Sequence, residues 1–527
     1  MDRDAELDRV RTRRAPWIVL LVVLLGSGLV GEARAEAPPS TAHQRCADDD
    51  HVEPGLQGDV PKAQQEAGTA SSFACGLTLV GHNDLGGRGG NWNMAWAGDC
   101  AYVTSSAGGV AVVDASNPSK PRLVKTLVGP GSTATKETIH AVETDDRAIL
   151  VAGRYGNNPT VPGQNGEPTP MDVYDVSTCH NPKLLSTFWF PENIHNLTLS
   201  ADAKTVFSTF PVQAVDLTDP RAPRFLGNIE KQVPYPSPVR YMSHEAWPSA
   251  DGTRLYLGGQ LPCCGFFTIL DITDLRHTAA DGTPDPVVRV VSQFKGRGHS
   301  IRDLVVDGKR YLLHSEESIV NQTAKGCLSE ELNPVGGPAQ PYLTDITAEE
   351  TPATVSQFEL EINEPQNCPQ QLDSGVNASV HYHDVDDPED TSFAMLSMWN
   401  AGMRVVDVRQ PTEPREIAYF NPGVVDGRLD QAWGHVRFVR ERGQIWFSTA
   451  TGGFWIVQLQ PQVLEALGMG PVPAAEPLLP PGVGPHVTNL PAVPTDAAYC
   501  TVDGATSSLE AYVPGIRDLP LPPVNLF

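Results

Sequence analysis

The sequence predicts an all-β protein, a seven-bladed β-propeller whose N-terminal strand completes the last blade. Three observations carry that reading: a strand–turn–strand motif that recurs seven times, a histidine that recurs ahead of it, and a last copy that lacks its outermost strand. The 527 residues, 40% of them hydrophobic, suggest several domains by length alone, but repeats of one β unit at roughly 40 to 80 residue spacing mean a propeller instead.

The full copies read VVDASNPSKPRLVKTL from Val112, VYDVSTCHNPKLLSTF from Val173, AVDLTDPRAPRFLGNI from Ala214 and VVDVRQPTEPREIAYF from Val405. Degenerate copies are ILDITDLRH from Ile269 and FELEINEP from Phe358, and WIVQLQ from Trp455 stops after one strand. Each proline falls in the turn, where a missing N–H harms no ladder, and the aspartate before it is a fold residue that accepts turn hydrogen bonds. LTLVGHND from Leu77 resembles the outer strands of the other copies and precedes the first full blade. It therefore closes the ring by completing the seventh blade, which removes an open sheet edge.

The motifs GGVAVVDASNPSKPRLV and AGMRVVDVRQPTEPREI resemble LVIVD repeats, found in exported bacterial β-propeller proteins. The resemblance spans roughly residues 76–460 and implies fold and export rather than a particular chemistry.

The propeller is expected at 76–460, with an insertion at 321–372 inside blade five that is long for a connection and placed to cap an axial site. Residues 36–75 form an N-terminal extension and 461–527 a Pro-rich C-terminal tail. Residues 1–35 read as a signal peptide: Arg11, Arg13 and Arg14, an apolar run from Trp17 to Leu25, then Ala33-Arg34-Ala35. Cleavage there would make the protein secreted or periplasmic. It removes six Lys/Arg and five Asp/Glu, leaving 32 cations against 58 anions, or −26. Such a surface disfavours nucleic acid and anionic membrane as partners. The nine cysteines all lie beyond the leader, so most are expected in disulfides. Cys327 with Cys368 is the expected pair, and Cys263-Cys264 is a candidate redox or soft-metal site or a pair reaching two partners.

Histidines open the segments HAVETDDRAILVAG (His140), HNLTLSADAKTVF (His195), HEAWPSADGTRLYLGG (His244), HSIRDLVVDGKRYLL (His299), HYHDVDDPEDTSFAML (His381) and HVRFVRERGQIWF (His435). Each is the expected innermost strand of a blade, and the first blade has Asn93 in the same slot. Innermost strands line a propeller's channel, so these side chains should converge on the axis. Convergence admits three readings: a metal site, a funnel that hydrogen-bonds a polar ligand, and a polar ring that orders water and ties blades together. Imidazole is the commonest ligand for copper, iron and zinc, and His140, His195, His244, His299, His383 and His435 form the ligand pool, with His381 the alternate to His383. Glu192, Glu245, Asp303 and Asp384 are candidate supports for the rings, and Trp92, Trp247 and Trp433 candidate walls.

Selenium-binding protein/methanethiol oxidase and the carotenoid-cleaving oxygenases place histidines at the same architectural point, an analogy of fold only. No nucleophile elbow, phosphate loop, H-E-x-x-H or EF-hand appears. The expected function is that of an exported metalloprotein, a copper- or iron-dependent oxidoreductase (zinc as third metal) acting on a small-molecule substrate. The alternatives are a metal-assisted lyase or hydrolase and a non-enzymatic propeller that binds a cell-surface protein partner.

Overall fold

A computed structural model describes residues 46–68, 70–156, 168–234, 242–260, 266–295, 299–315, 340–364, 366–367, 378–475 and 477. Seven antiparallel sheets follow one another in the chain, each running from an inner to an outer strand. Blade 1 comprises Asn91–Ala97, Cys100–Ser105, Val110–Asp114 and Arg122–Leu127, and blades 2 to 5 repeat this order, with inner strands Ile139–Glu143, Leu197–Leu199, Met242–Pro248 and Ile301–Val306. In blade 6, which starts at His383–Val385, the segment Phe73–Cys75 adds a fifth, outermost strand on Arg415–Asn421. Blade 7 contains Arg437–Val439, Gln444–Thr449 and Gly453–Leu459 from the C-terminal side, and its outer strand is Leu77–Asn83. The closure strand expected at Leu77 is therefore in place.

The repeat has a physical basis in each blade. The third strand is apolar and buried, as VAVVD in blade 1, while the fourth is largely exposed in blade 1 (RLVKTL) and mostly buried in blade 6, where Phe73–Cys75 covers it. The aspartate ending the third strand accepts the N–H two residues on in six blades, at Asp114, Asp175, Asp216, Asp271, Asp345 and Asp407. A register shift interrupts the pairing of third and fourth strands in all seven sheets, and such bulges sharpen the twist each blade needs. Apolar side chains of adjoining blades form the core, as where Trp455, Phe447 and Val457 of blade 7 pack with Met403, Val405 and Phe420 of blade 6.

One repeat lies elsewhere than expected. The third and fourth strands of blade 5 are Pro341–Asp345 and Ala353–Gln357, so YLTDITAEETPATVSQ is the blade's repeat, and Phe358 lies just beyond its last strand. The stretch 321–372 is thus not one insertion, because it contains half a blade. The extension before the ring is pinned by Cys46–Cys75 and by Arg404, which is fully buried and ion-paired with Glu53 and Glu416. A second disulfide, Cys100–Cys179, joins blades 1 and 2. Residues 1–35, Cys263-Cys264, Cys327, Cys368, Cys500 and residues 478–527 lie outside the described residues.

Candidate metal centre

The axial ring is built where the inner strands begin. At this level the N–H of His195, His299, His381 and Trp433 donates to the carbonyl of Thr209, Ser315, Ser397 and Ser448, which lie at or next to the end of the second strand of the same blade. His244 occupies the extra position of a bulge between Ser243 and Glu245, a device that re-aims one side chain without moving the strand. Blade 2 contributes Glu137 and blade 1 contributes Trp92. In chain order the ring is Trp92, Glu137, His195, His244, His299, His381 and Trp433. Their side chains touch in sequence: His195 and His244 at 4.3 Å between ring centroids, His244 and His299 at 3.7 Å, His299 and His381 at 4.7 Å, His381 and Trp433 at 5.5 Å, and Trp433 and Trp92 at 4.1 Å.

Glu137, His195 and His244 could hold a metal ion, their ligand atoms all lying within 4.8 Å of one another. Glu137 Oε2 stands 3.3 Å from His195 Nε2 and 3.4 Å from His244 Nε2. Ligand bonds of about 2.0–2.1 Å in a tetrahedral array set donor atoms about 3.3–3.4 Å apart, so two edges already match. The third, His195 Nε2 to His244 Nε2, is 2.6 Å and must open by about 0.7 Å to meet that geometry. Glu137 Oε1 lies 3.8 Å from His381 Nε2.

The surroundings fix which nitrogen faces the axis. His299 Nδ1 donates to the His381 carbonyl and His381 Nδ1 to the Trp433 carbonyl, at 3.0 and 2.5 Å. A carbonyl can only accept, so both rings carry their proton on Nδ1 and present an Nε2 lone pair, the form that binds metal. Burial holds His195, His244 and His299 well below the usual imidazole pKa, with the Lys136 ammonium adding to the effect at His195, which keeps them neutral. Tyr382 Oη donates to Glu137 Oε2 at 2.9 Å and accepts from Asn196 Nδ2 at 3.1 Å. Tyr155 and Phe210 pack on His195 at 4.7 and 4.3 Å, and Trp399 stacks on Trp433 at 4.8 Å.

The expected histidines thus divide. His195, His244, His299 and His381 share one cluster. His140 lies three residues beyond Glu137 and lines a cavity toward the other end of the inner strands. His383 is buried against the Ser300 backbone, two residues past the ring. His435, two residues past Trp433, sits between Asp384 (3.0 Å) and Glu245 (3.3 Å), which raise its pKa to about 9 against the opposing effect of burial. Asn93 is likewise one residue past the ring, and its Oδ1 accepts the His435 N–H. Among the acids, Glu245 and Asp384 hold His435, Asp303 pairs with Arg310, and Glu192 meets Asn228 and Lys231 at the surface. Glu137 has no counterpart among the expected residues. An alignment on the hydroxyl residues Thr209, Ser315, Ser397 and Ser448, rather than on histidine itself, would have shifted blade 7 to Trp433, but blade 2 has Gly153 at the equivalent position, so this signal does not reach Glu137.

The family described as LVIVD repeat matches residues 88–127, which cover blade 1. No curated protein matches the chain. Among solved structures, the β-propeller domain of Myceliophteria thermophila Cps50 (Swd1) is similar at 12% identity and TM-score 0.46, over 73% of this chain and 100% of that one. Hydrazine synthase from Kuenenia stuttgartiensis is similar at 12% identity and TM-score 0.44, over 72% and 97%.

Proposed function

We propose that this protein is an exported metalloprotein whose axial centre binds a first-row transition metal on Glu137, His195 and His244, with His299 and His381 as further donors, and that it is a metal-dependent oxidoreductase for a small molecule. The observation that carries the reading is the convergence of a carboxylate and neutral imidazoles at ligand spacing. Two imidazoles and a carboxylate form a donor set suited to iron, and additional imidazoles suit copper as well as zinc. The metal would supply redox or Lewis-acid chemistry. The protein's share is to hold the ligands: Tyr382 orients Glu137, and the carbonyls of His381 and Trp433 keep Nε2 of His299 and His381 deprotonated. Export is supported by the leader-like residues 1–35 and by two disulfides.

The test is elemental analysis of tag-free protein secreted from cells grown with copper, iron and zinc. Stoichiometric metal that is lost in His195→Ala and His244→Ala and kept in His140→Ala is the expected result; a metal-free wild type after reconstitution overturns the reading. Redox titration then separates the chemistries, since a centre that cycles between two oxidation states fits an oxidoreductase and a zinc-only centre fits a lyase or hydrolase. One observation favours a second reading: the five donors are at most 4% exposed, as a structural centre would be in a propeller that binds a protein partner. Single-turnover reduction of the bound metal by small-molecule donors distinguishes the two.

A further inference from the structure

A cavity of about 300 Å³ opens at the mouth opposite the cluster. Its rim includes Ala201, Ala250 and Glu389, which lie in turns joining first to second strands, whereas the metal cluster stands where first strands begin. Tyr382 and His435, in ring contact at 4.5 Å, lie between. The volume suits one small molecule and no peptide.

Chemistry narrows the occupant. Met94, Trp96, Val142, Leu199 and Trp247 give apolar walls. The floor is polar and internally balanced: Arg302 pairs with Asp384 at 2.8 Å and lies 3.9 Å over the Trp247 ring, while His435 pairs with Asp384 and Glu245. An anion would meet the further carboxylates Asp303 and Glu389 on the way in, and an amine would meet Arg302 and His435 at the bottom. His140 sets the polarity of the remaining contact. Its Nδ1 accepts the Leu199 N–H at 3.0 Å, so its ring proton is on Nε2, and the ring offers the cavity a donor. Arg302 likewise has only donors.

We propose that this cavity is a second ligand site, for an uncharged, mainly apolar molecule ending in a carbonyl oxygen that accepts from His140 and Arg302. The site is independent of the metal reading, because none of its lining residues belongs to the axial cluster.

Calorimetric titration of the full-length, EDTA-treated protein with four related probes tests it. 4-Methoxyacetophenone should bind at least about tenfold more tightly than anisole, 4-methoxybenzoate or 4-methoxybenzylamine. Ala141→Phe fills the cavity and should abolish binding; Ala201→Trp, in an exposed rim turn, blocks it if the first variant does not fold. His140→Phe should reduce the ketone to the affinity of anisole and leave anisole unchanged. Equal affinity for ketone and anisole, preference for the acid or the amine, binding unchanged by the blocking variants, or no binding of any probe overturns the proposal. Because the protein is metal-free throughout, none of these outcomes bears on the axial centre.

Discussion

Glu137→Gln isolates the charge at the axial centre while preserving its shape. The wild-type carboxylate is 3% exposed and faces Nε2 atoms at 3.3, 3.4 and 3.8 Å. Without a metal, the Tyr382 hydroxyl and the Lys136 ammonium offset that buried negative charge only in part, and burial raises its pKa. The neutral amide should therefore leave the metal-free protein as stable as wild type or more so. With metal the sign reverses. Residues that merely support a ligand change affinity about 10–100-fold, so loss of a ligating carboxylate should weaken binding by at least that, about 1.4–2.7 kcal/mol. At a free metal concentration of about 100 times the wild-type dissociation constant, wild type gains about 2.7 kcal/mol, and the variant should lose half or more of that gain. The assay is thermal unfolding with and without each metal, beside competition with a chelator of known affinity. A variant that binds metal as tightly as wild type would refute the assignment of Glu137 as a ligand. One that unfolds earlier than wild type in the absence of metal would show that the carboxylate is already paired by protein groups alone.

Other expectations test the scaffold and its titration. Arg404→Met leaves Glu53 and Glu416 buried without their cation and should destabilise by about 3–5 kcal/mol, seen as a lower urea midpoint and faster proteolysis near residues 46–75. Cys100→Ala with Cys179→Ala opens a link across 79 residues and should lower stability by at most about 4–5 kcal/mol on chain-entropy grounds, measured by urea unfolding against the intact disulfide. His435 has a folded pKa raised to about 9, so its contribution is complete below the unfolded value of about 6.5 and is lost as pH rises through 9. Unfolding free energy should accordingly fall between pH 6.5 and 9.5 in wild type and fall less in His435→Gln; parallel profiles for the two would remove His435 as the cause. Tyr382→Phe should weaken metal binding about 10–100-fold with little effect on fold, and the chelator competition measures it.

The blade count, closure strand and turn aspartates were legible because each rests on local chemistry: an apolar third strand, a proline that only a turn accepts and an unmatched outer strand. Blade 5 was misplaced because YLTD has fewer apolar residues than copies such as VAVVD, and its buried Thr344 bonds His314 and Thr354 instead of packing as a hydrocarbon. The alternation in FELE imitates a strand, yet Phe358 and Leu360 are buried in an irregular segment that ends in the 3-10 turn Glu361–Asn363. The axial slot was legible in four blades. His140 and His435 fall out because a start-of-strand histidine and one two or three residues on look alike in sequence, although on a pleated strand those offsets carry the side chain to another level of the channel.

That difference of level separates two kinds of chemistry along one axis. At the ring, four consecutive blades, 3 to 6, supply histidines that a carboxylate joins from blade 2; blades 7 and 1 supply indoles instead. The donor set is therefore one-sided, and the Trp92–Trp433–Trp399 group forms an apolar wall beside it. Glu137 reaches this ring from the segment Ala134–Thr138, where Ala134 and Lys136 both hold positive φ, 54° and 42°. Such backbone is unfavourable for residues with a Cβ by about 1–3 kcal/mol each. It is offset here by bonds that fix the segment, among them Lys136 N–H to the Ser105 carbonyl and Tyr155 N–H to the Ala134 carbonyl. The same segment seats the Lys136 ammonium over the Trp92 and Tyr155 rings, at 5.1 and 4.8 Å, beside Glu137. On the proposed reading a metal held by that carboxylate and its imidazole neighbours would offset the strain further, and a metal-free crystal of Glu137→Gln in which Ala134 and Lys136 relax to negative φ would show that the carboxylate is what holds them.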